Sequence, residues 1–242
     1  MAVVIQDVCG TEDNGYFFPT LSGVARSVNF YPIGSEKPED GIVNMAFGLG
    51  RLVVEGGKTL RFSPKYPKHI LQLSSTQLAL KETQNHMFAL NLKPEEFKTS
   101  IDESINLVKF DINQVKHFRN MKYVASTWNP QNEMLIDNNL EDGRKVITFA
   151  HLLKYDVLPI AKIICDILEI SQMEMRTPVE LEFAVNMDVP EGQDKIFSFL
   201  QIRPITDNQD NVSVDWDGID RNGCILYSEK ALGVGKVEGI TD

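Results

Sequence analysis

Residues 180–205 read ELEFAVNMDVPEGQDKIFSFLQIRPI, and this stretch decides the fold class of the chain. It contains two runs in which apolar and polar side chains alternate, as they do along a β-strand with one buried face. A polar segment with a proline and a glycine separates the two runs, which is typical of a turn. The stretch therefore predicts an antiparallel hairpin over residues 180–186 and 196–203.

Polar side chains gather on one face of the predicted hairpin. Because successive side chains of a strand point to opposite faces, Glu180 and Glu182 share a face of the first strand. On the second strand the alternation groups four side chains on one face: Phe197, Phe199, Gln201 and Arg203. Pairing of the strands would then bring two carboxylates, an amide and a guanidinium together.

Two interpretations of this polar face follow from its chemistry. It is either the solvent-exposed side of a sheet, where Glu–Arg cross-strand pairs give modest stability, or a site for magnesium and nucleotide phosphate. In phosphate sites Mg²⁺ takes one or two carboxylates, which Glu180 and Glu182 could supply. Arg203 could bind a phosphate through two parallel hydrogen bonds, and Gln201 could bond to the same ligand.

The composition limits the partners of the chain. Its 242 residues include 24 Lys and Arg against 34 Asp and Glu, for a formal net charge of −10. This balance argues against a nucleic acid or an anionic membrane as the main partner.

Three widely spaced cysteines and the lack of a signal-peptide pattern predict a cytoplasmic protein with reduced thiols. The most apolar stretch, residues 157–170, contains charges and is too short to span a bilayer.

The remaining segments predict an α+β fold, with a mainly antiparallel sheet and packed helices. An apolar stripe from Val157 to Leu168 predicts one helix, with Asp156 and Pro159 suited to its first turn. Residue types typical of the ends of helices predict a second helix within residues 93–108. Strands are predicted in five further segments: residues 3–8, 22–28, 42–47, 86–92 and 145–150. Both ends look truncated, so we expect the chain to be part of a longer protein.

No other segment predicts a catalytic centre. Glycines cluster at residues 48–57 and 233–239, but their spacing fits neither the dinucleotide fingerprint nor the phosphate-binding loop, so we interpret both as turns. The four histidines are scattered without the spacing of zinc ligands. Neither a nucleophile elbow nor a Cys–His pairing is evident.

Four segments carry a further signal through their order along the chain. They are VVIQDV (3–8), SGVARSVNF (22–30), GIVNMAFGLGRLVVEGG (41–57), and LEFAVN with FLQIRP (181–186 and 199–204). Together they resemble the nucleotide-binding domain of the phosphoenolpyruvate synthase and pyruvate phosphate dikinase family. The resemblance spans most of the chain, but the segment from about residue 65 to 177 matches no motif of the family.

The resemblance implies an ATP-grasp-like fold and a role for each polar residue of the hairpin. Residues 1–242 would form a single, partial ATP-grasp-type domain, the later portion of the family's domain, with a family-variable insertion at about 65–177. Glu182 would bind Mg²⁺, and Glu180 would be a second metal or water ligand. Gln201 and Arg203 would contact the phosphates of ATP, with Arg203 as the catalytic residue. Gln6 would lie near the adenine or ribose.

The chain also departs from the family pattern at three places. The family's Phe-Thr after SGV-x is Arg26-Ser27, and its following proline is Phe30. The glutamate that follows GLG in the family is Arg51, which reverses a charge near the expected site. These departures imply a divergent subgroup or altered contacts at those positions.

The resemblance implies an ATP-dependent phosphotransferase that phosphorylates an enzyme histidine and then pyruvate. The family's phosphohistidine lies on a swivelling domain, and pyruvate or phosphoenolpyruvate binds a barrel. Because no such histidine motif or barrel is present, we expect this chain alone to be inactive. Two alternatives stay open: a relative with another phosphate acceptor, such as an antibiotic or a glucan, and a non-catalytic binding module, which Arg51 favours.

Overall fold

The computed structural model describes residues 3, 5–102, 104–138 and 142–205, so Cys224 and the glycines of 233–239 lie outside the described residues. The fold is α+β, and every strand pairing is antiparallel, which confirms the predicted class and is consistent with an ATP-grasp-like fold. The strands are β1 (Thr11–Asp13), β2 (Tyr16–Phe18), β3 (Leu21–Arg26), β4 (Ile42–Ala46), β5 (Leu60–Phe62), β6 (His86–Asn91), β7 (Leu107–Asp111), β8 (Ala125–Asn129), β9 (Met134–Ile136), β10 (Arg144–Ile147), β11 (Val179–Asn186) and β12 (Ile196–Pro204). The helices are α1 (Arg51–Val54), α2 (Thr76–Glu82), α3 (Met121–Val124), α4 (Ala150–Leu153) and α5 (Ile160–Met175), with 3-10 turns at Pro38–Asp40 and Leu71–Leu73.

The strands form three sheets, of which the largest carries the predicted hairpin. Its order is β12-β11-β3-β4-β5, and the others have the orders β1-β2-β6-β7 and β10-β8-β9. The hairpin of β11 and β12 confirms the sequence prediction. Strand predictions at 22–28, 42–47, 86–92 and 145–150 correspond to β3, β4, β6 and β10.

A β-bulge at Leu200 changes the predicted faces of β12. Glu182 lies opposite Gln201, but the next pair is Phe183 with Phe199, so Leu200 is an extra residue in the ladder. Phe199 and Phe197 therefore share the face of β11's core residues, and not that of Gln201. The predicted grouping of these two phenylalanines with Gln201 and Arg203 was wrong, because strict alternation ignores an inserted residue.

The other face of the five-stranded sheet packs on α5. Leu181, Phe183 and Val185 of β11 are fully buried, and Ile160 and Ile164 of α5 belong to the same apolar cluster. The cluster includes buried residues from all three sheets. Burial of such side chains supplies the main favourable free energy of folding.

Gly23 of β3 permits a close approach within this sheet. A Cβ at this position would overlap the ring of Phe183 on the adjacent strand and would lie 2.9 Å from the carbonyl oxygen of Asn44. The ring of Phe183 also stacks on Phe197, with centroids 5.3 Å apart. The SGV segment therefore needs a glycine at position 23, because the ring of Phe183 in the LEF segment occupies the space that a side chain would fill.

Three details of the predicted elements were wrong. Helix α5 begins at Ile160, and Val157 lies before it and is exposed, because Asp156 has a positive φ of 55°, which a helix does not continue through. Residues 93–108 contain no helix among those described, since the side chains of Asp102 and Asn106 bond to nearby backbone groups and compete with helical bonds.

The third wrong detail is the strand predicted at residues 3–8. The described residues of this segment belong to no strand, and Ile5 is 95 % exposed. A β-strand needs a partner for its backbone groups, and apolar β-branched composition alone does not supply one. Among the described residues, no helix has the length and apolar character that crossing a membrane requires.

Candidate functional site

The polar face of the hairpin continues onto the neighbouring strand β3. Glu180 lies opposite Arg203 of β12 and opposite Arg26 of β3. Glu182 lies opposite Gln201. Because directly opposed residues of an antiparallel pair point to the same face, the structure brings all four predicted hairpin residues together and adds Arg26 to them.

Glu180 is held between two guanidinium groups. Arg26 donates from Nε to Oε2 at 2.5 Å, and Arg203 donates to Oε1 from Nε at 2.6 Å and also from Nη2. Glu180 is 4 % exposed, whereas the side chains of Arg26 and Arg203 are 45 % and 59 % exposed. Burial alone would raise the pKa of Glu180, but the hydrogen bonds and charges of the two arginines outweigh it and lower that pKa. Glu180 is therefore ionised and paired at neutral pH.

Glu182 and Gln201 form a second polar pair on the same face, two residues along each strand from Glu180 and Arg203. Their side chains make no hydrogen bond or close ion pair with other described residues, although the charge of Glu182 acts on Arg203 from a longer distance. An unpartnered carboxylate beside an unpartnered amide has oxygen atoms free for a ligand. This availability distinguishes Glu182 from Glu180, both of whose oxygens already accept hydrogen bonds.

The donor set fits a magnesium ion that arrives with phosphate, and not one held by protein ligands alone. Within the part of the chain that the structure describes, no group of three or more His, Cys, Asp or Glu side chains could hold a metal. Mg²⁺ commonly binds one or two carboxylates together with phosphate oxygens and water. Glu182 can supply one such carboxylate, while Glu180 could join only after releasing an arginine. Both metal roles stay predictions.

A cleft of about 410 Å³ adjoins this face and contains two of the predicted residues, Glu182 and Gln6. The Gln6 amide donates to the carbonyl oxygens of Phe199 and Leu200, at 3.2 and 3.1 Å. These two consecutive residues lie at the β-bulge. Gln201 and Arg203 do not line the cleft, but Gln201 lies directly opposite Glu182 at its edge. The cleft and the polar face thus form one continuous surface.

Arg51, which departs from the family pattern, also lines the cleft. It donates from Nε to Glu55, the residue that follows α1, at 2.6 Å, and its guanidinium lies 5.6 Å from the ring centroid of Phe88. Its charge is therefore partly compensated by a neighbour four residues along. The charge reversal expected from the sequence is weaker than the residue type alone suggests.

A larger cavity lies elsewhere, between β5, β9 and α4. Its volume is about 720 Å³, and its lining includes Arg61, His69, Asp137 and Lys154. None of the site residues predicted from the sequence lines this cavity. Size alone would select this cavity, but unpartnered polar groups and paired arginines on a single sheet face favour the hairpin.

Glu180→Gln is expected to flatten the pH dependence of stability. Because the pKa of Glu180 is lower in the folded chain than its usual 4.5, the ionised carboxylate stabilises the fold above that pH, and the stabilisation is lost as pH falls through the folded pKa. Gln keeps the shape but loses the charge, so the variant should be roughly 1–2 kcal/mol less stable at pH 7, given that both arginines are half exposed.

The measurement is thermal unfolding of the wild-type chain and the Glu180→Gln variant between pH 7 and pH 3. The difference in melting temperature should narrow as the pH decreases below about 5. A constant difference across this range would show that Glu180 is not ionised and paired in the folded chain.

Comparison with known proteins identifies the family of the chain. The sequence model of the family described as pyruvate phosphate dikinase, AMP/ATP-binding domain, matches residues 1–221. No curated protein matches the chain significantly. The match covers every strand and helix of the structure, including the hairpin and β3.

Proposed function

Because this chain belongs to the pyruvate phosphate dikinase AMP/ATP-binding domain family, we propose that it is the ATP-binding portion of a phosphotransferase that phosphorylates an enzyme histidine and then pyruvate. In this proposal, residues 1–242 are the later part of a single ATP-grasp-type domain with an insertion at about 65–177. The phosphorylated histidine and the pyruvate site would belong to other domains of the same enzyme.

The observation that best supports a nucleotide site is the pairing of Glu182 with Gln201 beside the pair of Glu180 with Arg203. Carboxylate, amide and guanidinium groups are the side chains that recognise metal-bound phosphate. They adjoin a cleft that Gln6 lines. We propose that adenosine occupies this cleft, near Gln6, and that the phosphates extend along the strands toward Arg203.

Each polar residue then has a separate task. Glu182 would hold the Mg²⁺ that accompanies ATP, and Gln201 would bond to the same phosphate or metal. The ion would supply charge neutralisation at the phosphate oxygens. Arg203 would stabilise the charge that develops on the transferring phosphoryl group, so positioning and electrostatics account for the catalysis.

A calorimetric titration of the purified chain with ATP tests the nucleotide site. We expect saturable binding that strengthens when Mg²⁺ is added. Glu182→Gln should remove most of the magnesium effect and leave magnesium-free binding nearly unchanged, because it alters only the proposed metal ligand. Pyruvate should not stimulate formation of AMP, since none of the four histidines lies in a phosphohistidine-like motif.

Two results would contradict the proposal in different ways. Absence of ATP binding at millimolar concentrations would exclude the nucleotide site and favour a non-catalytic binding module. Pyruvate-stimulated release of AMP by the chain alone would show that the acceptor machinery lies within these 242 residues.

A further inference from the structure

Arg26 is a charged residue of the polar face that has no assigned role. It ends β3, and it is the residue opposite Glu180, just as Arg203 is on the other side of β11. The three residues therefore form a row across three adjacent strands, with a carboxylate at the centre and a guanidinium at each end. With an inter-strand spacing of about 4.8 Å, the two arginine backbones are roughly 10 Å apart.

Each arginine has donors to spare. A guanidinium has five N–H groups in a planar fork. Arg26 uses only its Nε to bond Glu180, and Arg203 uses Nε and Nη2. No other side-chain hydrogen bond of either residue is present in the described part of the chain. The remaining donors, on side chains that are 45 % and 59 % exposed, are available to a ligand rich in acceptors.

The charge balance of this row also favours an anion. Two guanidinium groups share the carboxylate of Glu180, which leaves an excess of one positive charge in this row of a chain whose net charge is −10. The charge of Glu182 also acts on Arg203, so the excess is available to an anion when Glu182 holds the proposed Mg²⁺. Glu180 satisfies the inner donors of both arginines and fixes their orientation, because it is almost fully buried and accepts a bond on each oxygen. The spare donors of both are thereby held at the same face of the sheet.

The position of the row relative to the cleft suggests the ligand. Val24 and Glu182 line the cleft, and Arg26 and Glu180 come two residues away from them on the same strands and the same face. Two residues of a strand extend about 7 Å. An adenosine in the cleft would need a chain of two or three phosphates to reach the arginines.

We propose that Arg26 binds the polyphosphate chain of ATP or ADP together with Arg203, and that Glu180 positions both guanidinium groups. This inference rests on the proposed nucleotide site. It gives Glu180 a positioning role in place of metal binding, and it makes Arg26 a phosphate-binding residue where the family pattern has Phe. The competing explanation is that Arg26 only neutralises the buried carboxylate.

Titration calorimetry with adenosine, AMP, ADP and ATP separates these explanations. Arg26→Met keeps an unbranched side chain about as long as the aliphatic part of arginine and removes the guanidinium. We expect it to weaken ADP and ATP about tenfold or more, because hydrogen bonds between charged groups are lost, and to leave adenosine binding unchanged. Arg26→Lys should recover part of the loss, since it keeps the charge without the fork.

Arg119→Met is the matched control. Arg119 also pairs with a buried carboxylate, Asp13, and with Asp188, at 3.5 and 3.0 Å, but it does not line the cleft. This variant should be less stable and yet bind all four nucleotides and nucleosides as the wild type does. It measures the effect of removing a guanidinium from a buried acid in general.

A second measurement requires no variant. Phenylglyoxal modifies accessible arginines, and mass spectrometry locates the modified residues. ATP or inorganic tripolyphosphate should protect Arg26 and Arg203 of the wild-type chain, whereas Arg119 should react equally with and without ligand. Protection of both residues by tripolyphosphate alone would show that phosphate, and not adenosine, makes the contact.

The outcomes distinguish the inference from the function on which it rests. If ATP binds, Arg203→Met weakens it, and Arg26→Met does not, the role of Arg26 is wrong and the nucleotide site stands. Equal weakening of adenosine and ATP by Arg26→Met would also overturn the inference, because it would indicate damage to the sheet. If the wild-type chain binds no nucleotide and ATP protects neither arginine, the proposed function fails as well.

Discussion

Replacing Arg203 with alanine is expected to slow phosphoryl transfer about a hundredfold or more in the phosphotransferase proposed above, and to weaken ATP binding much less. The Arg203 side chain is exposed, and the residue lies opposite Glu180. It is two residues from Gln201, on the same face as the Glu182–Gln201 pair. A cation aimed at the moving phosphoryl group stabilises charge most in the transition state, so its loss affects the rate more than the affinity. The measurement is single-turnover phosphorylation of the histidine that the proposed function assigns to another domain.

Two further variants give this expectation its controls. Arg203→Lys should recover only part of the rate, because an ammonium group keeps the charge but cannot form two parallel hydrogen bonds to one phosphate. Arg119→Ala, which removes an exposed arginine paired with Asp13 and Asp188, should leave the rate unchanged. A rate for Arg203→Ala within a few fold of wild type would show that the hairpin face is an ordinary charged surface.

Phe183→Ala is expected to destabilise the fold by about 3–5 kcal/mol. The Phe183 ring is fully buried, stacks on Phe197 and fills the space above Gly23. Truncation removes the transfer free energy of the ring and leaves a cavity that the neighbouring strands can only partly close. Denaturant unfolding of the purified chain, monitored by tryptophan fluorescence and circular dichroism, measures the change in the free energy of unfolding.

Phe199 offers a matched comparison, since it is the residue opposite Phe183 on β12. It is the same residue type in the same sheet, but it is 41 % exposed. Phe199→Ala should therefore cost less than half as much as Phe183→Ala. Similar losses in the two variants would contradict the assignment of Phe183 to the core.

The hairpin and its polar residues could be predicted because they depend on local pattern. Alternation fixes the face of each residue within one uninterrupted strand, and a turn signal joins neighbouring strands. This reasoning was sufficient to group Glu180 with Glu182 and Gln201 with Arg203. It failed at Leu200, because a bulge changes the phase of the strand and has no reliable signal in a single sequence.

Contacts between distant segments could not be predicted in the same way. Arg26 lies 154 residues from Glu180 along the chain, and only the pairing of β3 with β11 brings them together. The sequence identified Arg26 as a departure from the family pattern, but its partner depends on strand order and register. The error at residues 3–8 has the same origin, because propensity describes a segment and a strand requires a neighbour.

The extra residue at position 200 changes which residues of β12 face the core and which face the polar side of the sheet. Before it, Phe197 and Phe199 face the apolar side of the sheet, and after it, Gln201 and Arg203 face the polar side. Substitutions of Phe197 should therefore change the free energy of unfolding, whereas substitutions of Gln201 and Arg203 should, under the proposed function, change ligand binding. A single strand can thus be tuned for stability and for ligand recognition independently, within a span of seven residues from Phe197 to Arg203.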